Sequence, residues 1–197
     1  MTSQPGSQHH LHGSAPDTND TALLLIDVIN HFEFPGGDVL LHNASAIAAP
    51  LQKLKRRART AGVPAIYVND NFGRWQSSFE QLLQHCMDPS MPSRDFVQQV
   101  APEPYDYFVL KPKHSGFFQT PLDILLKHLG TKRLILTGLS TNNCVMFTCH
   151  DAYMRDLELY VPGDCVASFT DEDQRYALEH MRTVMKADIS DSRAITL

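Results

Sequence analysis

The sequence predicts an α/β fold, a three-layer α/β/α sandwich around a mostly parallel six-stranded sheet. Short apolar runs of the kind that form strands buried on both faces recur along the chain. Stretches with apolar residues at helical spacing separate these runs, and strands that alternate with such helices pair as a parallel sheet covered on both sides. The predicted strands span 21–27, 63–69, 107–110, 134–136, 158–162 and 187–190.

Helices are predicted between the strands from their periodicity and from their end signals. Gly62 fits a helix C-cap, and Thr120 with Pro121 fits a helix start. Thr170 precedes an acidic first turn, which also predicts a helix start. A loop is predicted at 30–40, which contains Pro-Gly-Gly. The predicted helices span 44–61, 77–86, 95–100, 121–129 and 170–186, and one more starts at about Cys144.

Length and composition predict one globular domain. A chain of 197 residues is long enough for one sizeable core and too short for two. Its share of hydrophobic and charged residues is ordinary for a soluble protein. The net charge of −5 and the lack of a long basic run give no reason to expect a nucleic-acid partner. We expect a domain at 21–197 and a disordered arm at 1–20, which is rich in polar residues and has little to bury.

The cysteines and the N-terminus predict a cytoplasmic protein. The four cysteines show no C-x-x-C spacing and no density typical of small secreted domains. The N-terminus lacks the charged lead and apolar stretch of a signal peptide, and no apolar run approaches the length that spans a bilayer. We therefore expect reduced thiols and no membrane partner.

The segment 132–154 predicts a strand, a sharp turn and a helix with a thiol at its start. The apolar run 134–136 is followed by small residues at 137–141, and the helical pattern begins at about Cys144. A helix N-terminus favours a thiolate over a thiol and can bind an oxyanion. A small apolar cysteine packed beneath a helix explains the same pattern, so the choice depends on partners elsewhere in the chain.

Three chemically complementary residues follow predicted strands. Asp27, Lys111 and Cys144 each come at the carboxyl end of a strand, the edge where a parallel sheet gathers its ligands. A carboxylate can take the thiol proton and later deliver it to a leaving group, and a nearby ammonium favours both charged species. Taken individually, Asp27 could equally be a residue that caps a loop, and Lys111 could equally be a charged residue at the surface. Their occurrence together favours a catalytic site.

Three segments of the chain resemble one known family. They are TALLLIDVINHF from Thr21, VLKPKHSGFFQTPLDILLKHLG from Val109, and LILTGLSTNNCVMFTCHDAYMRDLELYVPGDCVAS from Leu134. These segments are similar to the isochorismatase-like cysteine hydrolases, which include nicotinamidases and N-carbamoyl amidases. The resemblance runs from about Thr21 to the C-terminus and is most specific around Cys144.

The resemblance implies roles for several residues. It implies a catalytic triad of Asp27, Lys111 and Cys144. It also implies a non-proline cis peptide bond between Leu139 and Ser140, and an oxyanion held by the backbone N–H groups of Ser140 and Cys144. No cofactor is implied, and the family usually assembles as homodimers or homotetramers.

Two comparisons within the family narrow the expected reaction. Nicotinamidases carry an Asp-x-His pair and a further His that bind a metal near the second strand, whereas this chain has Asp70 and Phe72 there. That difference argues against a metal site. Members that hydrolyse the isochorismate enol ether lack the nucleophilic cysteine, whereas this chain has Cys144. The resemblance therefore implies hydrolysis of a C–N bond in a small amide or carbamoyl substrate through a thioester-type intermediate.

Loops at the same sheet edge carry candidate substrate-binding residues, although ordinary packing of loops onto the sheet explains each of them as well. These candidates are Phe32, Phe34, Asn71, Trp75 and Phe118. Two alternative functions remain open. One is hydrolysis of an enol ether or ester within the same fold, and the other is a non-catalytic module that binds a ligand or assembles. The second alternative predicts an unreactive Cys144.

Overall fold

The computed structural model describes residues 18–72 and 78–197. Within these ranges the strands are β1 Thr21–Ile26, β2 Ala65–Asp70, β3 Tyr107–Lys111, β4 Arg133–Leu139, β5 Glu158–Tyr160 and β6 Val166–Ala167. The α-helices are α1 Gly37–Thr60, α2 Phe79–Cys86, α3 Arg94–Gln99, α4 Leu122–Leu129, α5 Met146–Tyr153 and α6 Asp171–Val184. Of the helices in this part of the chain, none combines the length and the apolar character needed to cross a bilayer.

All described strand pairs are parallel, and their order places a crevice beside the central strand. The path through the sheet is β3-β2-β1-β4-β5, and β6 pairs with β4. The chain runs outward from β1 through β2 to β3 and then returns to the other side of β1 as β4. Ligands of open α/β sheets bind at such a reversal, outside the carboxyl ends of the strands.

The two faces of the sheet are covered by different helices. Leu23 and Leu25 of β1 pack into a core with α1, α2 and α3, whereas Leu24 and Ile26 pack into a core with α4, α5 and α6. This alternation follows from the two-residue period of a strand, since successive side chains point to opposite faces. The predicted three-layer sandwich with a parallel six-stranded sheet is therefore confirmed.

The sixth strand is not the segment that the sequence predicts. Residues 187–190 make only an isolated bridge, between Asp188 and Tyr160, and the sixth strand is the two-residue β6. Asp188 Oδ1 accepts a hydrogen bond from the Ser190 N–H at 2.8 Å, which closes a local turn in place of a strand ladder. A two-residue strand carries no periodicity, so its pairing with β4 is visible only in three dimensions.

Two element boundaries also differ from the prediction. Residues 137–139, predicted as a turn, extend β4, and the helical chain starts at Thr141 as a π-helical turn, Thr141–Val145, without a side-chain cap. Helix α1 begins at Gly37 rather than at residue 44, because Gly36 adopts a left-handed φ of 80° and turns the chain into the helix. The Pro-Gly-Gly sequence therefore marks the start of α1, although it was predicted to lie within a loop.

Two residues that the sequence assigns to the arm are hydrogen-bonded to the domain. The Asn19 N–H donates to the Leu129 carbonyl oxygen at 3.0 Å, and the Lys132 N–H donates to the Asp20 carbonyl oxygen at 2.7 Å. These bonds tie Asn19 and Asp20 to the body, although the sequence assigns both to the arm. The rest of the predicted arm, residues 1–17, lies outside the described residues.

Candidate active site

Asp27 directly follows β1 at the crevice and is held by several bonds. Its backbone N–H donates to the Val68 carbonyl oxygen at 3.0 Å, and its φ of 50° is a left-handed conformation that Asp adopts more readily than most residues. Its Oδ1 accepts a hydrogen bond from the Asp70 N–H at 2.6 Å, and its Oδ2 lies 2.9 Å from Lys111 Nζ. The carboxyl group is therefore fixed between two donors.

Lys111 is the last residue of β3 and is fully buried. Because β2 separates β3 from β1, its side chain crosses the end of β2 to reach Asp27. Its Nζ lies 2.9 Å from Asp27 Oδ2, 3.4 Å from Cys144 Sγ and 3.5 Å from Asp70 Oδ2. One buried ammonium thus joins groups from three strand ends.

Cys144 lies in the π-helical turn that joins β4 to α5. The Ser140 carbonyl oxygen accepts hydrogen bonds from the Asn143 and Val145 N–H groups at 3.0 and 3.2 Å, which closes the turn. The Thr141 hydroxyl donates to Gln174 Oε1 and so ties the turn to α6. Cys144 is 8% exposed, whereas the other three cysteines are 0% exposed, so it is the most accessible thiol of the four.

The three groups shift each other's protonation. Burial raises the pKa of Asp27, and Lys111 only partly offsets that effect. Burial alone would lower the pKa of Lys111, but the neighbouring Asp27, Cys144 and Asp70 outweigh burial and raise it. Burial and the Asp27 charge raise the pKa of Cys144, although Lys111 opposes them. The resting site therefore holds an ammonium and a protonated thiol beside a carboxyl group that binds protons more tightly than an exposed Asp does.

The resting thiol corrects an expectation drawn from the sequence. A helix N-terminus and a nearby lysine predict a thiolate at neutral pH. In the folded protein Cys144 is buried and lies beside Asp27 as well as Lys111, and both burial and the carboxylate disfavour a second negative charge. The raised pKa of the neighbouring carboxyl group makes it a stronger proton acceptor than the carboxyl group of an exposed Asp.

Two further residues lie at the site and were not assigned to it from the sequence: His114 borders the thiol, and Asp70 contacts Asp27 and Lys111. His114 Nδ1 lies 3.8 Å from Cys144 Sγ, and its exposed ring stacks on Phe147 at 5.4 Å between centroids. Asp70 supports Asp27 through its backbone N–H and Lys111 through its carboxylate. An imidazole three residues after Lys111, in the loop that follows a strand end, was the available sequence signal for His114.

A family model and several relatives match the chain. The model for the isochorismatase domain matches residues 21–193. The chain belongs to the isochorismatase family. It is 42% identical over 176 residues to the uncharacterized isochorismatase family protein YaaI of Bacillus subtilis (strain 168), a match that covers 89% of this chain and 96% of that protein.

An amidohydrolase and a solved amidase structure are also similar to this isochorismatase-family hydrolase. The ureidoacrylate amidohydrolase RutB of Methylorubrum extorquens (strain ATCC 14718 / DSM 1338 / JCM 2805 / NCIMB 9133 / AM1) is 30% identical over 166 residues, which covers 71% of this chain and 66% of RutB. The crystal structure of N-carbamoylsarcosine amidase from Thermoplasma acidophilum is 26% identical, covers 91% of this chain and 100% of that chain, and has a TM-score of 0.69.

The peptide bond predicted to be cis is trans in this isochorismatase-family hydrolase. No cis peptide bond occurs in residues 18–72 and 78–197, so the bond between Leu139 and Ser140 is trans. Trans is the ordinary form of a bond that does not precede proline, favoured by roughly 3 kcal/mol. The role of the Ser140 and Cys144 N–H groups in binding an oxyanion stays a prediction.

The predicted substrate-binding residues take different positions in the hydrolase. Phe32 is buried against Phe34 and Phe96, with ring centroids 6.3 and 5.9 Å away, so it packs into the core beneath the loop. Asn71 follows Asp70 at the sheet edge and is half-buried, and its backbone N–H donates to the Lys111 carbonyl oxygen at 3.1 Å. Phe118 is about half exposed, and Trp75 lies outside the described residues.

Phe72, at the position where the resemblance to nicotinamidases implies a metal-binding histidine, packs against another ring. Phe72 lies 4.5 Å from His31 between ring centroids, and its backbone N–H donates to Asp70 Oδ1 at 2.6 Å. In the part of the chain that the structure describes, no group of three or more His, Cys, Asp or Glu side chains is arranged to hold a metal ion. The carboxylate of Asp70 instead lies beside Lys111. Metal-independent catalysis stays a prediction.

Proposed function

We propose that this isochorismatase-family hydrolase cleaves a C–N bond of a small amide or carbamoyl substrate through a covalent intermediate on Cys144. The observation that carries the proposal is the position of Lys111 Nζ, 2.9 Å from Asp27 Oδ2 and 3.4 Å from Cys144 Sγ in a buried crevice. A nucleophile, a proton acceptor and a cation within reach of one another are the parts that acyl transfer requires.

In the first half of the proposed reaction the thiol attacks the substrate carbonyl carbon. The thiol proton passes to Asp27 as the S–C bond forms, and the carbonyl oxygen becomes an oxyanion. Backbone N–H groups at the start of the helical turn, those of Ser140 and Cys144, are the proposed oxyanion donors. Asp27 then gives its proton to the nitrogen as the C–N bond breaks, which releases the amine or ammonia.

In the second half the intermediate is hydrolysed. Asp27 takes a proton from water while the water oxygen attacks the thioester or thiocarbamate carbon. The S–C bond breaks, and the proton returns from Asp27 to the thiolate of Cys144. Lys111 stays charged throughout and keeps the carboxyl group in place. These steps need no cofactor: Asp27 carries the thiol proton to the leaving nitrogen, and it carries a proton from water back to Cys144.

The names of two relatives support a carbamoyl substrate. Ureidoacrylate amidohydrolase and N-carbamoylsarcosine amidase each carry in their name a compound with a carbamoyl group on nitrogen. The free thiol also favours acyl transfer over enol-ether cleavage, since the latter needs no nucleophile on the protein. Homodimeric or homotetrameric assembly and a cytoplasmic location stay predictions; mass photometry at several protein concentrations would check the first.

The test is ammonia release from a panel of N-carbamoyl amino acids and carboxamides. With the best substrate, Cys144→Ala and Asp27→Asn should each abolish turnover, and Lys111→Ala should impair it. The double variant of Asp27→Asn with Cys144→Ala should be about as inactive as either single variant, because the two groups act as a unit. A covalent adduct of the substrate acyl group on Cys144, detected by intact-protein mass spectrometry after rapid quenching, should appear only in proteins that keep the thiol.

Two results would contradict the proposal, and each would favour a different function. Near-parental turnover by a well-folded Cys144→Ala variant would mean that water attacks directly, as in hydrolysis of an enol ether. No turnover across the panel, together with saturable binding of a carbamoyl compound that is unchanged in Cys144→Ala, would favour a ligand-binding module. Circular dichroism of each variant separates loss of chemistry from loss of fold.

A further inference from the structure

Two histidines from neighbouring helices meet away from the catalytic residues. His150 lies on α5 and His180 on α6, and their Nε2 atoms are 3.3 Å apart. The ring centroids are 5.2 Å apart and the ring planes are inclined by 46°. Both side chains are half-buried, and His180 also stacks on Tyr176 with centroids 6.0 Å apart. Packing on both sides therefore restrains the pair.

The spacing of the two nitrogens matches that of two ligands on one metal ion. Imidazole nitrogens bind Zn²⁺ at about 2.0–2.1 Å in tetrahedral geometry, which places two of them about 3.3 Å apart. We propose that His150 and His180 form a surface binding site for a divalent transition-metal ion, with Zn²⁺ the best fit. The site belongs to neither the triad nor the crevice, and water molecules complete its coordination.

The donor set of the pair is two imidazole nitrogens, and an imidazole binds a metal ion through the lone pair of its neutral form. Among the described residues no third His, Cys, Asp or Glu joins the two to form a larger cluster. Two protein ligands make a site of modest affinity, and imidazole ligands select Zn²⁺, Cu²⁺ or Ni²⁺ over Mg²⁺ and Ca²⁺.

A direct hydrogen bond is the competing explanation of the same distance. One neutral ring can donate an N–H to the other at 3.3 Å, with no ion involved. The two explanations predict different responses to added zinc. If the pair is only hydrogen-bonded, His150 and His180 do not bind zinc; if it is a metal site, both nitrogens bind zinc and the hydrogen bond between them is lost.

A bound ion would join two helices that already support the nucleophile. Helix α5 continues directly from the turn that carries Cys144, and α6 contacts that turn through the bond between Gln174 and Thr141. Zinc held by His150 and His180 would add a second link between α5 and α6. Because the ion binds the folded protein and not the separated helices, it should raise the thermal unfolding midpoint.

The experiment is a Zn²⁺ titration of the full-length chain by isothermal calorimetry and thermal unfolding. The starting protein carries His9→Gln, His10→Gln and His12→Gln, because three clustered histidines near the N-terminus are metal ligands in their own right. Adding His150→Gln or His180→Gln should weaken zinc binding at least tenfold and remove the zinc-dependent rise in the unfolding midpoint.

Two control variants separate this site from other ligands in the chain. His42→Gln alters an exposed histidine on α1 and should leave the zinc affinity unchanged. Cys144→Ser removes any zinc held by the active-site thiol and should leave the His150-dependent binding unchanged. Unaltered zinc affinity in both His150→Gln and His180→Gln, with each variant folded by circular dichroism, would overturn the proposal and leave the hydrogen bond as the function of the pair.

Discussion

At the scale of single residues, one buried cation decides the charge state of the site. Lys111 lies within 3.5 Å of Asp27, Asp70 and Cys144, so one ammonium faces two carboxyl groups and a thiol. Ionising the thiol would add another negative charge beside Asp27, and burial makes that costly. Burial and the Asp27 carboxylate therefore both favour the protonated thiol in the free protein.

The first prediction uses this balance of charge. Asp27→Asn should lower the pKa of Cys144, because it removes a carboxylate that raises that pKa and leaves Lys111 to stabilise the thiolate. A lower pKa gives more thiolate at neutral pH, and this gain outweighs the lower nucleophilicity of each thiolate, so iodoacetamide should label Cys144 roughly threefold faster for each pKa unit lost. The same substitution should abolish turnover. Mass-mapped labelling at limiting reagent measures the rate, with Cys86, Cys149 and Cys165 as internal references.

Asp70→Asn is the matched control for that prediction. It removes a carboxylate that lies 3.5 Å from Lys111 Nζ, while its backbone N–H to Asp27 remains. The change in Cys144 labelling should therefore be smaller than in Asp27→Asn. Labelling of Cys144 that is slower in Asp27→Asn than in the parent protein would mean that Asp27 does not hold the thiol in its protonated form.

The second prediction is that catalysis needs no metal. The resemblance to nicotinamidases implies a metal-binding histidine at the position of Phe72, whose ring here packs on His31. Exhaustive chelation should leave turnover unchanged, since the proposed steps use only Asp27, Lys111 and Cys144. Activity measured after dialysis against a chelator checks this expectation, and the variants His150→Gln and His180→Gln should behave as the parent does. Activity that is lost on chelation and restored by zinc, iron or manganese would contradict it.

At the scale of elements, the approach of β4 to β1 brings Cys144 near Asp27. Gly138 pairs with Ile26 in β1 and with Val166 in β6. Its φ is +107°, and a Cβ atom built there would lie 2.0 Å from the Ile26 carbonyl oxygen. Only glycine fits between the strands at this point, one residue before Asp27 in the register.

The third prediction is that Gly138→Ala disrupts both stability and the site. The added methyl group must push β1 and β4 apart, which should lower the free energy of unfolding by about 3 kcal/mol. Gly130→Ala is the matched control, because Gly130 also has a positive φ, +76°, but nothing lies within 4 Å of its Cβ position. Gly130→Ala should lower the free energy of unfolding by about 1 kcal/mol, from backbone strain alone.

Urea unfolding measures the stability of Gly138→Ala and of Gly130→Ala. Turnover of folded Gly138→Ala should also fall, because Asp27 and the turn with Cys144 follow the displaced strand ends. Equal stability losses in the two variants would show that strain, and not the close approach of the strands, explains the glycine at 138.

At the scale of the whole molecule, a buried ion pair ties one helical layer to the sheet. Lys55 Nζ of α1 lies 2.6 Å from Asp106 Oδ2 and 2.8 Å from the Ala101 carbonyl oxygen, and it sits over the Tyr67 ring. Burial lowers the pKa of Lys55 and raises that of Asp106, so each charge depends on the other. The pair fixes the loop that leads into β3, whose last residue is Lys111.

The fourth prediction tests that pair. Lys55→Met should lower the free energy of unfolding by roughly 2 kcal/mol, because it leaves the half-buried Asp106 carboxylate without its ammonium partner, with the Glu103 N–H still donating to it. Combining Lys55→Met with Asp106→Asn should be less destabilising than Lys55→Met alone, since the unpaired charge is then gone. Lys127→Met is the matched control: its pair with Asp123 is exposed and should be worth less than about 1 kcal/mol. Urea unfolding near neutral pH gives all three values, and a loss in Lys55→Met no larger than in Lys127→Met would contradict the prediction.

The sequence by itself determined the layers and the chemical types at the strand ends. Apolar runs for five strands and helical periodicity between them sufficed for the three-layer sandwich, because burial on both faces leaves a local mark on composition. Thr170 was also readable as a cap, and its Oγ1 accepts a hydrogen bond from the Asp173 N–H. Asp27 and Lys111 could be named because each directly follows an apolar run, and Cys144 because it comes at the start of a helix after a strand and a sharp turn.

Only the tertiary structure decided the properties that depend on neighbours distant in the chain. The strand order that places Lys111 two strands from Asp27, the pairing of β6 with β4, and the meeting of His150 with His180 are all non-local. The protonation state of Cys144 is also a non-local property. A helix start and a lysine predicted a thiolate, but the pKa of a buried thiol is set by its loss of water and by every charge packed around it, and those are properties of the folded chain.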